Sequence, residues 1–249
     1  MIEVETVDDI VVLTLSHGKV NALDIEFCEA LAARFAELRS AKAVVMKGQG
    51  RAFSAGVDLI RLSEGGADYV RRFLPVLHKL YETIVFHPRP VVAAINGHAI
   101  AGGCLLAACA DRRVMGRGQG RIGVTELQVG LPFPSLAFAI VRAAVPARYL
   151  AEVIYSGATY ESDAALERGW IDQISEPGAV VEDALAIARE LSALSPAAFA
   201  QTKQQMRQPI ADAYAKDGRA VDRTVTDIWC EPASLGYIRA YVARTLKKG

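Results

Sequence analysis

The chain lacks an excess of charge of either sign: among its 249 residues, 28 Lys and Arg are matched by 28 Asp and Glu. A zero net charge provides no global field to attract nucleic acid or an anionic membrane surface, and neither partner is expected. Cysteine is scarce. Cys28, Cys104, Cys109 and Cys230 form no CxxC pair and stand at no metal-ligand spacing with the four histidines, which argues against a disulfide framework and against zinc and suits a reducing cytoplasm. The first residues are acidic and β-branched, not basic and then apolar, so no signal peptide is expected. Long uninterrupted apolar runs are also missing. The nearest candidate, Pro90 to Ala110, contains Asn96, His98 and three glycines, whereas a membrane span needs roughly 20 predominantly apolar residues.

What is present is an alternation of two periodicities. "IVVLTL" (Ile10 to Leu15), "AVVM" (Ala43 to Met46) and "VVAAI" (Val91 to Ile95) read as buried strands. Between the first two, Phe27, Leu31, Phe35 and Leu38 recur at helical spacing behind Asp24, a plausible N-cap. Tyr69 to Val85 repeats that pattern and is stopped by Pro88 and Pro90. Strand, helix, strand, helix, strand is the α/β order. Beyond residue 135 the pattern turns helical: Ser135 to Ala144, Ala147 to Tyr155, Ser162 to Arg168, Val180 to Leu194, Pro196 to Met206 and a further C-terminal stretch. A core over residues 1–190 and a helical region over 191–249, packed on the core or on a neighbouring subunit, make up the expected organisation.

Three stretches carry candidate chemistry. "GQGRIG" (Gly118 to Gly123) has the spelling of a dinucleotide fingerprint, but Gly130, Pro132 and Pro134 interrupt the segment after it and no acid occupies 135–147. The required helix and ribose-binding acid are therefore missing, and a flexible basic loop is expected. "GRAFSAGVDL" (Gly50 to Leu59) is either a strand-to-helix turn capped by Asp58 or a close backbone approach in which the Val57 N–H faces a ligand. "NGHAIAGG" leads from a strand to a helix start at Gly102 and Gly103, where free N–H groups attract an anion. Tight helix-on-sheet packing explains the glycine pair equally well.

Taken together, the last two stretches resemble the two-amide oxyanion hole of the crotonase (enoyl-CoA hydratase/isomerase) superfamily. The likeness extends over "HGKVNALD" (His17 to Asp24), "RPVVAAINGHAIAGGC", "TELQVGLPF", "SGATYESDAALERGWIDQI" and "PAAFAQTK". It implies a spiral of ββα units with a helical C-terminal region, assembled as trimers or pairs of trimers, with Tyr237, Ile238 and Tyr241 as interface candidates. It further implies an acyl-CoA substrate whose thioester carbonyl is held by the N–H groups of Val57 and Gly102. The thioester itself is then the electron sink, so no metal or redox cofactor is expected.

Hydratases of that family carry two catalytic glutamates. At the corresponding places this chain has Leu105 and Glu126. A single base suffices to move a proton from C2 to C4, so the resemblance points to an enoyl-CoA isomerase with catalytic Glu126, Val57 and Gly102. The alternatives are a hydratase, with an acid recruited from near Glu64, Asp68 or Tyr69, and a non-catalytic acyl-CoA-binding protein. The apolar Leu105 beside Glu126 should raise the carboxyl pKa by desolvation. By position, CoA contacts are expected at Lys19, Val20, Ala22, Ala52, Ala55, Asp58 and Leu59, with Lys19 or Arg51 near the phosphates. Lys203 is a weaker candidate, and His98 is expected to be a loop or packing residue.

Overall fold

The β-branched runs do become strands, and chain order explains how they form two sheets. In a computed structural model, which describes residues 1–245, β1 (Ile2–Val7) and β2 (Ile10–Leu15) form a hairpin. Asp8 and Asp9 turn it, with φ of 51° and 65°, the left-handed pair that suits a tight hairpin turn. Next come α1 (Ile25–Glu37), β3 (Ala43–Gly48), β4 (Ala52–Ser54), α2 (Leu59–Val85), β5 (Val91–Ile95), β6 (His98–Ile100), α3 (Gly102–Ala108), β7 (Arg112–Gly116), β8 (Ile122–Gly123) and α4 (Glu126–Val129). The remainder is α5 (Ser135–Ala144), α6 (Ala147–Ser156), α7 (Ser162–Glu167), β9 (Gln173–Ser175), α8 (Val180–Ser192), α9 (Pro196–Ala213), a π-helical stretch (Tyr214–Gly218), α10 (Arg219–Cys230) and α11 (Pro232–Thr245).

The first sheet runs β1-β2-β3-β5-β7-β9, and the second, of three short strands, runs β4-β6-β8. Apart from the β1–β2 hairpin, the strand pairings within the two sheets are parallel, and Ile122 of β8 adds one antiparallel bridge to Tyr160. Successive segments β3β4α2, β5β6α3 and β7β8α4 each place one strand in the large sheet, the next in the small sheet and then a helix. This repeated ββα unit is the expected spiral. The parallel sheet is buried on both faces, which is why its strands read as continuous apolar runs. Val44 and Met46 of β3 join the main core with Phe27, Phe35 and Phe73, whereas Ala43 and Val45 join a second cluster with Ala184 and Ala188 of α8.

Asp24 caps α1 as expected, accepting from the Phe27 N–H at 2.8 Å. Asp58 caps α2, accepting from the N–H groups of Ile60 and Arg61, both at 3.0 Å. That helix starts at Leu59, where Asp58 could cap it, and runs on into the apolar stripe expected from Tyr69; Gly66, at φ 60° and ψ −152°, breaks it into two pieces. The polar first piece, "LIRLSEG", shows no clean apolar stripe, and its cap is the main signal that it is helical.

Two expectations are corrected. The "GQGRIG" segment is a loop only over 118–121: Ile122 and Gly123 form β8, and the Arg121 guanidinium donates to Thr159 Oγ1 and Glu161 Oε1, each at 2.9 Å. Ile238 belongs to the core, fully buried, because α11 packs on α2; Tyr237 beside it is exposed. The expected helical C-terminal region runs through Thr245, and residues 246–249 lie outside those described. Among the described residues no helix is long and apolar enough to cross a membrane.

Candidate active site

The two glycine-bearing turns meet. Leu23 and Val57 form an isolated parallel bridge, in which the Leu23 N–H donates to Gly56 O at 2.8 Å and the Asp58 N–H donates to Leu23 O at 3.0 Å. In a parallel bridge these bonds use the groups flanking residue 57, so the N–H of Val57 itself points away from Leu23. Gly56 has φ 84°, and a β-carbon there would lie 2.5 Å from Ile100 O and 2.9 Å from Gly102 N. Only glycine lets the 56–57 peptide lie so close to the 101–102 peptide.

The second turn is strained. Ala101 precedes α3 at φ 49° and ψ −120°, a region that costs a non-glycine residue about 1–3 kcal/mol. It orients the peptide whose N–H belongs to Gly102, the first residue of α3, where no earlier turn can supply an acceptor. The glycine pair divides its tasks. A β-carbon on Gly103 would sit 2.2 Å from Ser54 O, a backbone clash, so Gly103 serves packing. A β-carbon on Gly102 would meet only side-chain atoms, Tyr81 Oη at 3.0 Å, Leu23 Cδ1 at 3.1 Å and Val57 Cγ2 at 3.4 Å.

Val57 and Gly102 line a cavity of about 460 Å³, and Glu126 and Leu105 line the same space. Glu126 opens α4 directly after Thr125 and is only 9% exposed. Its Oε2 is buried with no hydrogen-bond partner. Burial pushes its carboxyl up to about 7, against smaller lowering by the backbone at Glu126 and Thr125. Leu105, on α3, is 3% exposed. The other carboxylate in the wall, Asp58, is occupied in capping α2. Glu64 and Asp68 are exposed and outside the cavity wall, and the Tyr69 hydroxyl accepts from the Ile25 N–H at 3.4 Å.

Of the expected CoA contacts, Lys19, Val20, Ala22, Ala55, Asp58 and Leu59 line the cavity. Ala52 does not reach it: it lies inside β4, 5% exposed, and its carbonyl accepts from Asn21 Nδ2 at 3.1 Å. Its contribution is to hold the segment before α1 in place. Arg51 is exposed and outside the wall. Lys203 is buried elsewhere, donating to Asp111 Oδ2 at 2.7 Å, and His98 accepts from the Arg121 N–H at 3.3 Å.

Several wall residues escaped sequence reasoning. Tyr81 lies on the apolar stripe of α2, where it looks like any core aromatic. Trp229 and Tyr241 come from α10 and α11 and reach the cavity only through chain folding. The Trp229 indole donates to Pro132 O at 2.9 Å and is 2% exposed. His17, also in the wall, pairs with Asp24 at 2.8 Å and stacks on Phe27.

Comparison with known proteins agrees with this architecture. The family described as enoyl-CoA hydratase/isomerase matches residues 5–232. A putative enoyl-CoA hydratase from Thermus thermophilus is 33% identical over 210 residues, covering 82% of each chain. The apo structure of an enoyl-CoA isomerase from Mycobacterium tuberculosis is 31% identical with a TM-score of 0.78, over 96% of this chain and 97% of that one. Human mitochondrial Δ3-Δ2-enoyl-CoA isomerase, 24% identical, superimposes with a TM-score of 0.93 over 99% of this chain and 98% of that one, a likeness of fold. With a spiral of ββα units, Val57 and Gly102 in the wall of one cavity and a family match over residues 5–232, the chain belongs to the enoyl-CoA hydratase/isomerase family of the crotonase superfamily.

Proposed function

We propose that the chain is a Δ3,Δ2-enoyl-CoA isomerase in which Glu126 is the single proton-transfer group. The observation that carries this is the cavity wall: one buried carboxylate, Glu126, whose Oε2 has no hydrogen-bond partner, with Leu105 in the same wall and the remaining carboxylate, Asp58, committed to a helix cap. Adding water across a double bond requires water to be held and deprotonated while a second proton reaches C2. Moving the bond requires only that one base carry a proton.

In the proposed reaction the thioester oxygen of a 3-enoyl-CoA lies between the N–H groups of Val57 and Gly102. Glu126 removes a proton from C2, and the electron pair of that C–H bond moves into the dienolate. The two amides hold the negative oxygen; one such donor is typically worth about 100 to 1,000-fold in rate. The same carboxyl returns the proton to C4, giving the trans-2-enoyl-CoA and restoring the carboxylate. A carboxyl pushed up to about 7 suits both halves of the transfer near neutrality. In this reading Lys19, exposed in the cavity wall, meets the CoA phosphates, and the thioester supplies the electron sink without a metal or redox cofactor. Assembly as a trimer or a pair of trimers belongs to the same proposal and is read by sedimentation.

Hydratase is the second reading, favoured by the name of the Thermus thermophilus relative. Supplying trans-3-enoyl-CoA and trans-2-enoyl-CoA in separate assays, and following absorbance of the conjugated thioester, distinguishes them. Conjugation appearing from the 3-enoyl substrate is the expected result. Rapid loss of conjugation from the 2-enoyl substrate, with the 3-enoyl substrate inert, would overturn it. A non-catalytic binder would turn over neither.

A further inference from the structure

A second cavity, of about 380 Å³, lies where α9 crosses the start of β7 and the end of α5, apart from the acyl-CoA space. Its charged lining is unbalanced: Arg112, Arg113, Lys203 and Arg207 face only Asp111 and Asp172. Both carboxylates are engaged. Asp172 holds Arg113 through two bonds of 2.9 and 3.0 Å. Asp111 takes Lys203 at 2.7 Å, with Arg207 at 3.6 Å from its other oxygen. Arg112 joins none of these pairs, and its Nε is buried without a hydrogen-bond partner.

A buried polar nitrogen left unpaired costs about 1–3 kcal/mol, and more when charged, so a cavity with two positive charges in excess and an idle guanidinium is suited to an anion. Guanidinium groups present paired N–H donors that match phosphate oxygens. Apart from Thr202, the rest of the wall is apolar, with Phe199 and Met206 contributing from α9. We propose that this cavity binds a small phosphate-bearing molecule, its phosphoryl group between Arg112 and Arg207 and its organic part against Phe199 and Met206. The site stands independently of the reaction assigned to Glu126.

Calorimetric titration at constant ionic strength, with inorganic phosphate and separately with phenyl phosphate, tests this on the full chain. Wild type and Lys19→Ala should both bind, since Lys19 belongs to the other cavity. Arg112→Gln and Arg207→Gln should each weaken binding at least tenfold. Arg112 has no pair to lose, so Arg112→Gln is the variant expected to keep its melting temperature and remain interpretable if Arg207→Gln fails to fold. Tighter binding of phenyl phosphate supports the apolar wall as the seat of the organic part; equal or weaker binding overturns that half of the proposal. No saturable binding, or binding undiminished in Arg112→Gln, or binding lost in Lys19→Ala, overturns the site.

Discussion

The Tyr81 hydroxyl donates a hydrogen bond of 2.9 Å to the carbonyl of Gly102. Tyr81 is 1% exposed and lines the cavity, so this bond links the middle of α2 to the residue whose N–H is proposed to hold the substrate oxygen. It restrains the backbone immediately after the strained Ala101. Tyr81→Phe should lower kcat about tenfold, the equivalent of about 1.4 kcal/mol, with a smaller change in KM. Steady-state kinetics and a melting curve check it; unchanged kcat would show that Ala101 and α3 hold the amide alone.

Glu126→Gln should keep the fold and acyl-CoA binding but lower isomerase turnover by about 100 to 10,000-fold, the usual range for a positioned base. Activity assays paired with binding of a saturated acyl-CoA separate the two effects. Retained turnover would assign proton transfer to another group.

The raised carboxyl of Glu126 ties activity and stability to pH in opposite directions. The base form is required, so kcat/KM should be level above about 7 and fall tenfold per unit below it. In the unfolded chain the group titrates near its ordinary 4.5. Between those values the folded state binds more protons than the unfolded state, so this group's contribution to stability declines as pH rises through that window and stays low above it. Glu126→Gln should therefore be more stable than wild type at pH 8, by on the order of 3 kcal/mol, with the difference fading by pH 4. Denaturant titration at both pH values measures it.

Alanine at Gly102 and at Gly103 should behave differently. At Gly103 the new β-carbon would lie 2.2 Å from a backbone oxygen, so soluble yield or melting temperature should fall sharply. At Gly102 the neighbours are side-chain atoms at 3.0–3.4 Å that can shift by tenths of an ångström, so the protein should fold and lose turnover instead. Thermal melts and kinetics on both variants read the contrast.

Much of the fold was legible in linear order. The strands Ile10–Leu15 and Val91–Ile95 and the helix Ser135–Ala144 have the bounds their apolar periodicity predicts, and Asp24 and Asp58 cap the helices they precede. The short strands β4, β6 and β8 were not legible, because two or three residues are too few for a period to show. Ala52, named as a CoA contact by its position in the family's first block, lies outside the cavity wall because it begins β4, a strand equally hidden in the linear order.

The sequence by itself determined the alternating strand and helix pattern, the caps, the family's motifs and the presence of Leu105 where a second acid could stand, because each is set by residue type and local spacing. Tertiary structure alone decided that Gly56 brings the Val57 peptide against Gly102, that Gly102 and Gly103 serve different neighbours, that Tyr81, Trp229 and Tyr241 share one cavity, and that Glu126 Oε2 is left without a partner. Those depend on close packing between segments distant in the chain, and on the loss of water around a carboxylate, neither of which is encoded in any local period.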